Sequence, residues 1–221
     1  MKQLVVIPAF NSHNTVSRLI DKLSYSCPND ILVVDDGSDI PIKINNKVQN
    51  NLYLIRNSKN SGKGSAIKKS IEFCIKNNYT HFVTIDSDLQ HDPNQVELFL
   101  SQDETLDCVF GKRDFAHPMP IHRRFSNFIT SLIISIIKFR RFFDTQCGYR
   151  RYSLSLFRDA KLLEDGFQAE SEIILYLIGN NHQISHVNIS TIYFDKNESN
   201  IKNSSDTIKF IKLIFRYVFS F

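Results

Sequence analysis

The chain has 221 residues, a 42% hydrophobic share and a formal net charge of +4. That length suits one domain, or one domain with an appendage, and the apolar share is ordinary for a chain that buries a real core. The charge is uneven. Residues 1–120 carry 13 Lys/Arg against 14 Asp/Glu, and residues 121–221 carry 14 against 9. The basic second half favours a phosphate-bearing partner or an anionic membrane surface. No recognition module for nucleic acid is present, so none is expected as a partner. The cysteines Cys27, Cys74, Cys108 and Cys147 show no metal spacing, and Cys74 and Cys108, in apolar runs, read as buried thiols of a reducing compartment. Met1-Lys2-Gln3-Leu4 runs straight into an apolar strand without the layout of a signal peptide, and no run of about 20 apolar residues spans a bilayer.

Taken in order, the first half alternates strand and helix. Val5-Val6-Ile7 is a strand closed by Pro8. Asn11-Ser12-His13-Asn14 then supplies capping residues, and Val16, Leu19, Ile20 and Leu23 follow at helical spacing. Ile31-Leu32-Val33-Val34 is a second apolar run and residues 52–55 a third. Asn60-Ser61-Gly62-Lys63-Gly64 leads into a helix with Ile67, Ile71, Cys74 and Ile75 on one face. Residues 82–85 form a fourth strand. Asp92 before Pro93 marks the start of the next helix, because Asp caps and Pro fits the first helical position. Cys108-Val109-Phe110-Gly111 is a fifth strand. Continuously apolar strands alternating with helices predict an α/β fold with a mainly parallel central sheet and helices on both faces.

Chemistry clusters at the strand ends. Pro8 to Asn11, Asp35-Asp36 and Asp86-Ser87-Asp88 all follow strands and are expected on one edge, where open α/β sheets bind ligands. Asp86 and Asp88, with Gln90 beside them, suit a hard divalent cation that keeps positions open for phosphate. Read alone, so short a pattern is better taken as a solvated turn, and the shared edge is what weighs against that. The Ser-Gly-Lys-Gly turn opens a helix, so its N–H groups and Lys63 suit phosphate. A loop-closing role for the two glycines stands beside that reading.

In order and spacing, Ile7-Pro8-Ala9-Phe10-Asn11, Val33-Val34-Asp35-Asp36-Gly37-Ser38, Asn60-Ser61-Gly62-Lys63-Gly64 and Asp86-Ser87-Asp88-Leu89-Gln90-His91 resemble glycosyltransferase family 2. The resemblance is nearest to the polyprenyl- and dolichyl-phosphate sugar transferases. It continues through Gly111-Lys112-Arg113, Asp144-Thr145-Gln146-Cys147-Gly148-Tyr149-Arg150, Gly166-Phe167 with Glu170 and Glu172, and the strand from Val187 to Tyr193. It implies a GT-A (nucleotide-diphospho-sugar transferase) fold over residues 1–204, with a nucleotide-sugar half to about residue 115 and an acceptor half beyond it. It implies a nucleoside-diphosphate sugar as donor and a polyprenyl phosphate as acceptor, or a glycan hydroxyl as the alternative.

Position by position, the resemblance puts Pro8, Ala9, Phe10, Ser12, Val34 and Asp36 at the nucleotide, with Asp36 the main base contact. Lys63, Asp86 and Ser87 join them at the diphosphate, and Asp86, Asp88 and Gln90 hold Mg²⁺ or Mn²⁺. Arg113 reaches a phosphate, and Arg123, Arg124, Arg150 and Lys202 serve the acceptor. The family often has Glu at the place of Ser12, an aromatic pair at His13 and Asn14, and a Ser-His-Phe-Arg type segment where this chain has Ser199-Asn200-Ile201-Lys202. These departures leave the base open.

If the nucleophile is a sugar hydroxyl, a carboxylate must take its proton. Asp144 is the candidate, against a plain role as partner of Arg150. Glu170 and Glu172 lie two apart, so at most one is expected at the site. Residues 125–143 are very apolar, with Asn127, Ser131, Ser135 and Lys138 as a polar stripe, and suit either an interfacial helix or a core helix. Residues 205–221 read as an amphipathic helix for a membrane surface or an oligomer contact, with burial against its own domain as the competitor. The expected place of action is the cytoplasmic, inner face of the membrane. A sugar nucleotidyltransferase and a non-catalytic nucleotide-sugar-binding protein are the readings from other classes.

Overall fold

The computed structural model describes residues 1–44, 51–114, 121–158, 160, 162–179, 181–192 and 203–219. Strand β1 (Gln3–Ala9) is followed by α1 (His13–Ser26), β2 (Asp30–Asp35), β3 (Leu52–Arg56), α2 (Lys63–Lys76) and β4 (His81–Thr84). A 3₁₀ turn (Pro93–Val96) runs into the short α3 (Glu97–Leu100). Then come β5 (Cys108–Arg113), α4 (Ile121–Ile137), β6 (Arg150–Ser153), α5 (Ala169–Glu172), β7 (Ile184–Ile189) and α6 (Asn203–Phe219). The sheet order is β3-β2-β1-β4-β6-β5-β7. Every pairing is parallel except those of β6, which runs antiparallel to β4 and β5.

Alternation along the strands builds two cores. Leu4, Val6, Leu32 and Val34 face α2, where Ala66, Ile67, Ile71 and Cys74 meet them, together with Ile134 of α4 and Leu213 of α6. Val5, Ile7, Ile31 and Val33 face the other way, onto Val16, Leu19, Ile20 and Leu23 of α1 and Phe99 of α3. The period-two pattern of a strand and the 3.6 period of a helix therefore meet on both faces, as expected of a covered parallel sheet.

Two strands depart from the expectation. β3 is an edge strand with Tyr53 and Leu54 exposed, so its apolar run does not mean burial on both faces. β6 was not foreseen, because Arg150 and Arg151 open it and both are fully buried. α6 begins at Asn203, and only one of its faces docks: Leu213 is buried and Phe210, Ile214 and Tyr217 pack on the core, while Ile208, Ile211 and Phe215 are exposed. Among the described residues no helix is long and apolar enough to cross a membrane.

Candidate active site

Strands β1, β2 and β4 are parallel neighbours, so their carboxyl ends, Ala9, Asp35 and Thr84, lie on one edge. The loop after β1 and the loop after β4 face each other there across a cleft of about 290 Å³. It is lined by Phe10, Asn11, Ser12, His13, Asn14, Thr15, Ser87 and Asp88. Ser12 Oγ is shielded from water and has no hydrogen-bond partner among the described residues, so it is available to a ligand. The expected Phe10, Ser12, Ser87 and Asp88 are therefore together. Pro8 and Ala9 are buried behind them. Val34 is not in the cleft. Its side chain is fully buried in the α2-facing core, because alternation along β2 turns it inward.

Asp36 is 4% exposed and accepts from Asn57 Nδ2 at 2.6 Å and from the backbone N–H groups of Ser61 and Gly62 at 3.1 and 2.6 Å. It thus ties the end of β2 to the turn that opens α2. Gly62 is required in that turn: its φ is +102°, and a Cβ there would lie 2.4 Å from the Asp165 carbonyl oxygen. The turn delivers Lys63, whose ammonium sits 2.6 Å from Asp86 Oδ1 and 3.1 Å from Glu170 Oε1. Burial opposes the charge on Lys63, but Asp86 and Glu170 outweigh it and hold the pKa above its ordinary value. In return, burial pushes the Asp86 carboxyl up while Lys63 draws it well below the usual carboxylate range. His91 Nε2 lies 3.8 Å from Asp86 Oδ2.

Asp88 is exposed at the loop tip, with one oxygen accepting from the Gln90 N–H at 3.0 Å. Although its side chain reaches solvent, the protein packed around the loop and then the negative charge of Asp86 raise its pKa. Leu89 between them has φ +62°, rare for this residue type, and is 6% exposed, so its buried side chain fixes the turn. Among the described residues no group of three or more His, Cys, Asp and Glu side chains forms a metal-binding cluster. The donor set present is two carboxylates that repel one another and a neighbouring amide, Gln90. These are hard oxygen donors whose repulsion a divalent cation would relieve, so Mg²⁺ or Mn²⁺ fits them if further ligands come from water or substrate.

Across the edge, Asp144 is 2% exposed and grips Arg113 by two bonds, Oδ2 to Nε at 2.7 Å and Oδ1 to Nη2 at 2.9 Å. Asn127 Nδ2 adds a bond to Oδ1 at 2.8 Å. Burial pushes this carboxyl up, but the Arg113 guanidinium and these bonds hold it below its ordinary value. With both oxygens already bonded to Arg113 and Asn127, Asp144 is not placed to take a proton from an acceptor. It positions Arg113, and its partner is not Arg150.

Arg150 is likewise corrected as an acceptor contact. It is fully buried, and its guanidinium donates to the carbonyls of Cys147 at 2.7 Å, Thr145 at 2.7 Å and Glu170 at 3.1 Å, and to the Tyr152 hydroxyl at 3.1 Å. Arg150→Met should lower stability by about 3–5 kcal/mol, because buried oxygens lose their donor. Urea unfolding measures this. An unchanged midpoint with a raised acceptor KM would return Arg150 to the acceptor site. Glu170 and Glu172 divide as expected: Glu170 faces the site, and Glu172 accepts from the N–H groups of Leu163 and Glu164 at 2.9 Å each. Arg123 is half-buried and Arg124 exposed in the first turn of α4. Lys202 lies outside the described residues. The spacing reads Asn127 only as part of a polar stripe and Gly148 only as part of the Asp144–Arg150 motif, since nothing local marks an amide or a glycine as a neighbour of a distant ion pair.

The glycosyl transferase family 2 model matches residues 4–164. The chain belongs to that family. It is a glycosyltransferase, and its seven-stranded sheet with helices is the GT-A fold. A protein of Methanocaldococcus jannaschii without an assigned activity is 34% identical over 98% of this chain and 99% of its own length. A UDP-N-acetylglucosamine–dolichyl-phosphate N-acetylglucosaminyltransferase of Methanococcus voltae is 24% identical over 86% of this chain and 85% of its own. Among solved structures, glucosyl-3-phosphoglycerate synthase from Mycobacterium tuberculosis, in complex with Mn²⁺, UDP and phosphoglyceric acid, superposes with a TM-score of 0.76 at 17% identity. That likeness covers 98% of this chain and 78% of the other, and it concerns the fold. This transferase thus has family relatives named for lipid-phosphate acceptors and a fold neighbour that holds a metal and a nucleotide.

Proposed function

We propose that this family 2 transferase moves a sugar, with inversion, from a nucleoside-diphosphate sugar to a polyprenyl phosphate presented at the inner face of the membrane. The observation that carries the acceptor class is the Asp144–Arg113 pair. A hydroxyl acceptor needs a base, and the carboxylate expected to supply one is buried with both oxygens already bonded to Arg113. A phosphate acceptor arrives already ionised and needs cations to place it. Arg123 and Arg124 in the first turn of α4 suit that need.

The donor's nucleotide fits the cleft beside β1, with Ser12 Oγ available to it. Lys63 sets the direction of the Asp86 carboxylate through their ion pair. Asp86, Asp88 and Gln90 would hold Mg²⁺ or Mn²⁺, which offsets the charge of the departing diphosphate. Arg113, oriented by Asp144, is the cation assigned to the same charge. The acceptor oxygen attacks the anomeric carbon from the face away from the diphosphate, which inverts that centre.

A panel of UDP-, GDP- and dTDP-sugars tests the reading. With Mn²⁺, release of one nucleoside diphosphate should rise sharply when polyprenyl phosphate is added and stop when EDTA is added. Transfer to a glycan hydroxyl but not to the lipid phosphate would overturn the acceptor class. No release with any donor would overturn the whole assignment.

A further inference from the structure

Helix α4 is amphipathic in the reverse sense for a helix facing water. Its polar stripe points inward: Asn127 and Ser131 are 1% and 4% exposed. Asn127 bonds Asp144, Ser131 bonds the Thr145 hydroxyl at 3.0 Å, and Ser135 Oγ accepts from the Phe142 N–H at 2.9 Å. Its large apolar side chains point outward. Phe125, Phe128, Leu132 and Ile136 are 66%, 62%, 43% and 62% exposed, and their spacing puts them along one face. In water the order is the opposite.

The charge pattern says what covers that face. Residues 121–143 contain five Lys/Arg and no Asp/Glu. Arg123 and Arg124 stand at one end and the exposed Arg141 at the other, while Arg140 donates to the His182 carbonyl at 2.6 Å. Between them, Lys138 turns away from the strip, donating to the Leu175 carbonyl at 2.9 Å and to Tyr217 of α6 at 3.2 Å. An apolar centre with basic ends complements acyl chains bordered by anionic headgroups.

We propose that α4 seats the enzyme in an anionic lipid monolayer through Phe128, Leu132 and Ile136. The seat is joined to the site, because Asn127 on the inner side of the same helix holds Asp144, which holds Arg113. This deepens the reading of a lipid-borne acceptor and rests on it. The cleft then lies beside the membrane, with Arg113 one side chain removed from the lipid-facing helix.

The test is sedimentation of the full chain with phosphatidylglycerol-containing vesicles and with pure phosphatidylcholine vesicles. The wild type should bind the anionic vesicles, more weakly as salt rises. The double variant Phe128→Ser/Leu132→Ser should bind them roughly a hundredfold less. It should keep Mn²⁺-dependent stabilisation by nucleoside diphosphate and transfer to a water-soluble short-chain polyprenyl phosphate. If the double variant does not fold, Ile136→Ser alone should show the same loss in smaller measure. Wild-type binding that ignores lipid charge, equal binding by the variants, or a dimer that these variants disperse would each overturn the proposal. Vesicle binding that depends on α4, without transfer to any polyprenyl phosphate, would instead sink the acceptor reading and leave the monolayer seat standing.

Discussion

Asp88→Ala is expected to abolish sugar transfer and to leave the protein folded. The two halves of that result have separate causes. Asp88 is exposed and its bond to the Gln90 N–H closes only its own turn, so removing the carboxylate should cost under about 1 kcal/mol of stability. Its raised pKa follows from the protein packed around the loop and from Asp86, so truncation also relieves a repulsion. For catalysis the balance reverses. Without Asp88 the remaining carboxylate is Asp86, already paired with Lys63, and the charge of the departing diphosphate has too little to meet it. A loss of roughly 10³-fold or more in kcat/KM is in keeping with removal of such electrostatic stabilisation. Metal-dependent release of nucleoside diphosphate, measured beside urea unfolding, checks both halves. A folded variant that still turns over at the wild-type rate would show that the metal site lies elsewhere.

Gly148→Ala should damage both activity and stability, although it adds a single methyl group. A Cβ at this position would stand 2.3 Å from Asp86 Oδ2 and 2.6 Å from Lys63 Nζ. Neither atom can yield cheaply, because the two are bonded to each other and Lys63 is also held by Glu170. The methyl must therefore part the ion pair or push β6 away from β4, where the Thr84 hydroxyl donates to the Gly148 carbonyl at 2.8 Å. Overpacking of this kind typically costs about 1–3 kcal/mol. A fall of roughly 10²-fold in kcat/KM should accompany it, because Asp86 loses the direction Lys63 sets. Calorimetry and steady-state rates test this, with Ser155→Ala, the exposed residue of the 3₁₀ turn Leu154–Phe157 after β6, as a control for substitution near that strand. Wild-type activity in the Ala variant would mean that the Lys63–Asp86 pair has no part in the reaction.

Much of this architecture was legible from local chemistry. The runs at Val5 to Ile7, Ile31 to Val34 and residues 82–85 are β-branched or aromatic, which only a buried strand uses well. Asp92 and Pro93 mark a helix start by capping and by a fixed φ, and the Asp92 carboxylate does accept from the Asn94 N–H at 3.0 Å. The alignment of three strand ends then placed the first loop and Asp86-Ser87-Asp88 on one edge. β6 was hidden for the complementary reason. A strand that opens with two arginines carries no hydrophobic signal, and its burial depends on carbonyls brought from Thr145, Cys147, Glu170, Phe99 and Gln102.

The same division separates the residues of the site. Sequence alone determined which residue types stand at the strand ends, because strand period, turn chemistry and caps act over a few residues. Only the tertiary structure decided who pairs with whom. Asp144 meets Arg113 and not Arg150, Lys63 joins Asp86 to Glu170, and Val34 turns away from the cleft. Helix α4 makes the point most directly. Its polar stripe was readable from spacing, but spacing carries no sign. The stripe turns inward because Asp144, Thr145 and Phe142 lie opposite it with bonding groups to satisfy, and that leaves the phenylalanines facing outward.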